Sequence, residues 1–395
     1  MRVLHVPLPF SRRGNTLMRI AAELVRCETD SGHAPGVVVS TNRDVTMDFA
    51  ELVPVDFTGP CPREWFTRTE WWRDALAGRV GLRRQFTGDL YRPAVAAAVA
   101  WDPDLVVLYE GLSVAATVPE WRRALPDATL VVYLQSSLAR SYGRRELERG
   151  LAGADRVVTP SEYLRRTVVD RVPGLAGRTV VIPNGVDLAA FRPPTTFQSG
   201  DGPEPAGDGD DPFTLLFAGR VSPHKGPDLM LRAMSVAASS TGRPMRAVVV
   251  GSSDYDAGDE LTEYEVSLRD LAHREHLDVE FLPFVPKDQL VGFYRRASIV
   301  CVPSVFDEPF GLVAIEAMAC GAPVVASRRG GLPEVVGDAG QLVDPTDTVA
   351  FGAALARLAD DPDERRRMSA AGVARAQGKT WADADRQLLA ISRRA

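Results

Sequence analysis

The 395-residue sequence predicts an α/β protein of two doubly wound parallel sheets. Two observations carry that expectation. Short apolar runs alternate with longer helical patterns along the whole chain, as parallel strands joined by crossover helices do. One stretch breaks the alternation: Thr195 to Pro212 holds 4 Gly, 3 Pro and 5 acidic residues and almost nothing apolar. It buries too little surface to fold by itself and reads as a linker. At roughly 150 residues per domain the length allows two cores. The expected organisation is therefore a first domain over 1–194, a linker over 195–212, a second domain over 213–376, and a final helix within 377–395 that packs back on the first.

In chain order, the strand candidates of the first half are Val3–Val6, Gly36–Ser40, Leu105–Tyr109, Leu130–Leu134, Arg156–Thr159 and Thr179–Ile182. Those of the second half are Thr214–Ala218, Ala247–Val250, Val279–Leu282, Ile299–Val302, Pro323–Ala326 and Gly340–Val343. Most are continuous apolar runs, which suits strands covered on both faces. Ligands are expected beyond the carboxyl ends of these strands and in the cleft between the domains. The segment Arg63 to Phe86 carries Trp65, Phe66, Trp71 and Trp72 among alternating charges of net +3. It reads as an amphipathic helix that covers the first sheet or lines the acceptor side of the cleft, with a membrane-surface helix as the rival reading. The last helix, from Trp381 to Arg394, owes its apolar face to Trp381, Leu388, Leu389 and Ile391.

A net charge of −6 argues against a nucleic-acid scaffold. Cys27, Cys61, Cys301 and Cys320 are scattered, with no Cys-x-x-Cys pair and no His at zinc spacing, so neither a disulfide framework nor a structural metal is signalled. The apolar run after Met1-Arg2 stops at Pro7 and Pro9, far short of a signal-peptide core or a span of about 20 apolar residues. The chain reads as reduced and cytoplasmic.

No G-x-G-x-x-G follows the first strand, and Gly378-Lys379-Thr380 has Val373 where a phosphate-binding loop of NTPases needs a glycine. Dinucleotide oxidoreductase and NTPase readings lose their support. The informative residues lie in the second half. In Phe217-Ala218-Gly219-Arg220-Val221-Ser222-Pro223-His224-Lys225-Gly226, Arg220 and Lys225 stand at the carboxyl end of a strand on a Gly-bearing turn, which suits a pyrophosphate. In Phe306-Asp307-Glu308-Pro309-Phe310-Gly311-Leu312-Val313-Ala314-Ile315-Glu316, Pro309 and Gly311 mark a turn into a helix whose first amides favour an anion. Glu308 and Glu316 flank that turn, and carboxylates accept from the paired hydroxyls of sugars and riboses. Cationic phosphate holders and anionic hydroxyl holders at successive strand ends describe a site for a sugar nucleotide.

The chain resembles the retaining glycosyltransferases of family 4, whose two facing Rossmann-like domains form the GT-B architecture. The residues that carry the resemblance are Ile182-Pro183-Asn184-Gly185-Val186-Asp187, Ala218-Gly219-Arg220 with Lys225-Gly226, and Glu308 with Glu316 beyond it. Pro303-Ser304, Glu316-Ala317-Met318-Ala319-Cys320-Gly321-Ala322-Pro323 and Gly330-Gly331-Leu332-Pro333-Glu334 complete it. The resemblance implies that Gly219, Arg220 and Lys225 hold the donor diphosphate, that Glu308 and the Phe310-Gly311-Leu312 backbone hold the sugar, that Glu316 holds the ribose, and that Phe284 and Val285 face the base. Arg220, Lys225 and Glu308 are the catalytic candidates. It also implies front-face attack with retention at the anomeric carbon, no metal and no cofactor beyond the sugar nucleotide. UDP-glucose or UDP-N-acetylglucosamine is the favoured donor. The Val250-Gly251-Ser252-Ser253 loop resembles the spore-coat and aminoglycoside-type branch, which implies a natural-product or surface-glycan acceptor.

The first half departs from the family pattern. Its first loop, Ser11-Arg12-Arg13-Gly14-Asn15, has one glycine where a pair is usual, so Gly14 is the donor-side candidate and Asn15 an acceptor candidate. Gln135 stands where many members carry His and can donate to a sugar hydroxyl. Trp71, Trp72 and Glu110 complete the acceptor candidates. His5, His33, His273 and His276 are read as packing or surface residues, and Asp254-Tyr255-Asp256 as a loop despite its likeness to a metal-binding Asp-x-Asp. Two rivals share this architecture: a sugar-nucleotide epimerase, and a non-catalytic binding subunit.

Overall fold

The computed structural model describes residues 1–7, 16–41, 47–57, 72–73, 76–77, 85–109, 114–136, 142–194, 212–253 and 260–392. They form two compact units, one of Met1–Asn184 with Trp381–Ala395 and one of Gly185–Thr380.

The first unit is a seven-stranded parallel sheet of β1 (Arg2–Val6), β2 (Ala34–Ser40), β3 (Glu51–Val55), β4 (Leu105–Tyr109), β5 (Thr129–Tyr133), β6 (Arg156–Thr159) and β7 (Thr179–Val181). The spatial order is β3-β2-β1-β4-β5-β6-β7, so the winding reverses between β1 and β4. Helices α1 (Thr16–Asp30), α2 (Gln85–Trp101), α3 (Val114–Ala124), α4 (Arg144–Leu151) and α5 (Glu162–Arg171) make the crossovers. Every residue of the Leu-Val-Val-Leu-Tyr strand β4 is buried, because helices lie on both faces.

Strand β3 was not expected from the sequence. It pairs with β2 from Gly36↔Glu51 to Ser40↔Val55 and sits at the sheet edge, where Pro54 is tolerated because no further strand needs its N–H. Its alternating burial gives it no apolar run to recognise.

The second unit is a six-stranded parallel sheet of β8 (Phe213–Ala218), β9 (Met245–Val250), β10 (Asp278–Leu282), β11 (Ile299–Val302), β12 (Val324–Ser327) and β13 (Gln341–Val343), in the order β10-β9-β8-β11-β12-β13. This is the doubly wound dinucleotide-fold order, with its switch point between β8 and β11. Its helices are α6 (Pro227–Thr241), α7 (Glu263–Arg274), α8 (Lys287–Arg296), α9 (Leu312–Ala319), α10 (Leu332–Val336), α11 (Thr348–Asp360) and α12 (Pro362–Gln377). Local chemistry starts several of them. Thr262 and Glu265 form a capping box on α7, Asp347 caps α11, and Asp361 caps α12 just before Pro362.

The boundary expected at residue 194 lies at 184. Val186 and Phe191 are built into the core of the second unit, and Val186 bridges Thr380. The chain re-enters the first unit at Trp381, not at 377, through α13 (Trp381–Ser392). Trp381, Leu388 and Leu389 are buried there, and the Thr129 hydroxyl donates to the Ser392 carbonyl. Periodicity could not place the first boundary, which has Val181-Ile182 before it and Val186 after it, and the second falls at the end of the polar run Gln377-Gly378-Lys379-Thr380 rather than at its start. The expected linker is described only at Pro212, and the Trp-rich segment only at residues 72–73, 76–77 and 85–86, where Trp72 and Leu76 are exposed.

Candidate active site

The site of the second unit begins at its switch point, where the loops after β8 and β11 leave neighbouring strands. Three glycines shape the β8 side. Gly219 and Gly251 have φ of +143° and +133°, and a Cβ at Gly251 would lie 1.9 Å from the Gly219 carbonyl oxygen. Only bare backbone lets these two loops cross so closely. Gly226, at φ +69°, starts α6 against the Pro303 carbonyl. The amide of Val305 then donates to the His224 carbonyl at 2.9 Å, stitching the two loops together.

That stitch brings Lys225 to Glu308. The Lys225 Nζ lies 2.5 Å from Glu308 Oε1 and 4.8 Å from the centre of the Phe306 ring. The buried Ser304 hydroxyl donates to the same Oε1 at 2.6 Å. The Glu308 backbone is fixed as well: Gly331 donates its N–H to the Glu308 carbonyl, and a Cβ at Gly330 (φ +62°) would lie 2.2 Å from that oxygen. The sequence reading gave the cation and the carboxylate separate tasks; the fold makes them an ion pair, because their strands are adjacent. Arg220 differs. It is exposed, and among the described residues it has no ion-pair partner.

Beyond Glu308 the chain turns at Gly311 (φ +118°), where a Cβ would lie 2.5 Å from Leu332, and enters α9. Phe310 is buried in the core, so it offers a ligand its backbone alone, while Leu312 packs partly against that core. Glu316 is buried on α9, and its Oε2 accepts from the Tyr294 hydroxyl at 3.3 Å. Phe284 is exposed and Val285 packs partly against the core, just after β10.

In the first unit Gln135 follows β5, and its amide exchanges two hydrogen bonds with Asn184. Gln135 Nε2 donates to Asn184 Oδ1 at 3.0 Å, and Asn184 Nδ2 donates to Gln135 Oε1 at 2.8 Å. The Tyr133 hydroxyl also donates to Asn184 Oδ1, at 3.3 Å. The amide expected to meet a sugar is thus anchored on the Ile-Pro-Asn-Gly-Val-Asp motif. That motif straddles the two units, since Asp187 pairs with Lys287 at 3.0 Å inside the second. Lys287 and two backbone amides outweigh the burial of Asp187 and hold its carboxyl below the usual range. Gly14, Asn15, Trp71, Glu110 and the Asp254-Tyr255-Asp256 triplet lie outside the described residues.

Sequence reasoning missed one cluster here. His5, read as packing or surface, is fully buried in a polar chain at the switch point of the first sheet. Its Nε2 donates to the Glu28 carboxylate at 2.9 Å, and its Nδ1 accepts from the Tyr109 hydroxyl at 2.8 Å. Burial raises the pKa of Tyr109 well above the ordinary phenol value, so that hydroxyl keeps its proton. Asp385 of α13 completes the cluster, its carboxyl pushed up to about 7 by burial and by Glu28. No sequence spacing links positions 5, 28, 109 and 385; only the winding does.

Two family models match the chain side by side: glycosyltransferase family 4 over residues 17–190 and glycosyl transferases group 1 over residues 203–375. The chain belongs to the glycosyltransferase group 1/family 4 family. Among its curated relatives is the D-inositol 3-phosphate glycosyltransferase of Acidothermus cellulolyticus, 36% identical over 258 residues, which are 64% of this chain and 56% of that protein. The enzyme of the same name from Saccharomonospora viridis is 38% identical over 252 residues, 63% of this chain and 57% of that one. The match thus spans little more than half the length of these relatives, and they are not named for the spore-coat or aminoglycoside branch expected from the Val250–Ser253 loop. Among solved structures, HepE of Anabaena in complex with UDP and glucose superposes with a TM-score of 0.73 at 19% identity, covering 99% of this chain and 98% of that one. Sucrose-phosphate synthase from Thermosynechococcus elongatus gives 0.72 at 20% identity, with coverage of 99% and 98%. These likenesses show the GT-B glycosyltransferase fold. Among the described residues, no helix of this family member is long and apolar enough to cross a membrane.

Proposed function

We propose that the chain transfers a hexosyl group from a nucleoside-diphosphate sugar to an acceptor hydroxyl with retention at the anomeric carbon. The observation that carries this reading is the grouping of Lys225, Glu308 and Ser304 at the switch point of the second sheet. In it, Arg220 and Lys225 neutralise the diphosphate, Glu308 accepts from the donor sugar's hydroxyls, and Glu316 accepts from the ribose. The anomeric carbon gives up its bond to the diphosphate oxygen and gains one to the acceptor oxygen, while the leaving phosphate takes the acceptor proton. Positioning and stabilisation of charge on the departing diphosphate then supply most of the rate enhancement. The positive field comes from side chains and helix amides, so no metal is required.

UDP-glucose and UDP-N-acetylglucosamine are the donors of choice, a reading supported by the UDP and glucose of the HepE complex. The names of the curated relatives favour an inositol phosphate as acceptor over a natural product or surface glycan. The test is UDP release from each donor with and without inositol 3-phosphate, in the presence of EDTA. Acceptor-dependent UDP release in EDTA is the expected outcome. No UDP release and no UDP binding by calorimetry would reject the donor reading. Equal release with and without the acceptor would reject inositol phosphate, and rescue of a chelated enzyme by Mn²⁺ or Mg²⁺ would reject metal independence.

A further inference from the structure

We infer that Ser304 is a positioning residue for donor-sugar recognition, holding Glu308 Oε1 so that Oε2 is the oxygen left for a sugar hydroxyl. The inference rests on the proposed contact between Glu308 and the donor sugar.

Glu308 is a buried carboxylate with two partners on one oxygen: the Ser304 hydroxyl at 2.6 Å and the Lys225 ammonium at 2.5 Å, both on Oε1. Among the described residues no donor reaches Oε2. The two partners are unequal. Lys225 is a point charge on a flexible stem, and a bound diphosphate would compete with Glu308 for it. Ser304 has no such competitor. It directly follows Pro303 just beyond β11, it is 1% exposed, and its hydroxyl is committed to Glu308 Oε1. A glutamate side chain has three torsions, and Lys225 alone does not select one rotamer. The Ser304 hydroxyl closes that freedom at Oε1, while the Gly330-Gly331 turn fixes the Glu308 backbone. Ser304 thus keeps the carboxylate aimed while Lys225 turns to the phosphates.

The test measures UDP affinity by calorimetry and UDP-sugar turnover by UDP release, for S304A, S304T, E308Q and the S304A/E308Q double variant. S304A is expected to keep UDP affinity within about twofold and to lose tenfold or more in kcat/KM for the UDP-sugar. S304T, which keeps the hydroxyl, is expected to regain most of that loss. In the E308Q background, S304A is expected to change turnover by less than about twofold, since the group it aims is already altered. Should S304A not fold, S304C preserves the side-chain size with a weak donor and is read the same way. Wild-type turnover in S304A beside an impaired E308Q would overturn the inference. So would an equal S304A loss in both backgrounds, or a loss of UDP affinity, either of which marks a packing role. Wild-type turnover in E308Q would instead overturn the Glu308 contact itself.

Discussion

At the scale of single residues, burial separates the two cations of the proposed donor site. Lys225 neutralises Glu308, whose side chain is only 9% exposed, whereas Arg220 stands in solvent. Removing Lys225 strands a largely buried carboxylate with Ser304 as its remaining partner, so K225A should cost about 1–3 kcal/mol of stability. R220A, a surface change, should stay within about 0.5 kcal/mol. Both variants should lose transition-state stabilisation of about 1.5–3 kcal/mol, equivalent to tenfold or more in turnover. Urea unfolding beside UDP-release kinetics checks this; equal stability of the two variants would contradict the Lys225–Glu308 pair, and unchanged turnover in both would contradict the donor site. Arg220, Lys225 and Glu308 were legible in the sequence because their residue types state their chemistry. Ser304 was visible only as part of a motif, since a serine announces no role until its partner is known.

At the scale of elements, α13 is joined to α1 and β1 through charge as well as packing. Asp385 has an Oδ1 that is buried and, among the described residues, finds no hydrogen-bond partner. The groups that set its titration are Glu28, which raises the pKa, and His5 and Arg386, which lower it, with burial the largest cause. Its carboxyl value rises from 3.8 unfolded to about 7 folded, so the folded protein keeps a proton that the unfolded chain has lost between those values. The sign follows: stability tied to the neutral acid is complete below pH 3.8 and is lost as pH rises through about 7. The slope of this one group is at most about 1.4 kcal/mol per pH unit. D385N, neutral at every pH, should therefore gain stability relative to the wild type between pH 5 and pH 8. Urea midpoints of both proteins at the two pH values measure it, and identical pH dependence would show that Asp385 titrates normally.

At the scale of the whole molecule, the chain crosses between its two units twice, at Asn184–Gly185 and at Thr380–Trp381. The first unit is therefore built from both ends of the sequence. Removing residues 381–395 takes away Trp381, Leu388 and Leu389, and with them the Thr129 partner on Ser392, from the first unit alone. Hydrogen exchange on the shortened chain should show lost protection in β1, α1 and β5 with β8 to β13 unchanged. Uniform loss across both units would show that they unfold together.

By itself the sequence determined the two doubly wound sheets and twelve of their strands, because continuous apolar runs such as Leu105–Tyr109 can be satisfied only where both faces are covered. It also pointed to the second unit as the proposed donor side, because Gly219, Arg220, Lys225, Glu308 and Gly311 carry their chemistry in their identity. It left out β3, whose Pro54 and alternating burial make sense only at an edge, and it misplaced both unit boundaries. Tertiary structure alone decided which groups meet. Lys225 reaches Glu308 because β8 and β11 are neighbours across a switch point, and His5 reaches Glu28, Tyr109 and the field of Asp385 because β1 lies beside β4 inside a sheet that α13 comes back to. Composition and period fix how each element forms, while contacts between residues far apart in the chain depend on strand order, which no local spacing encodes.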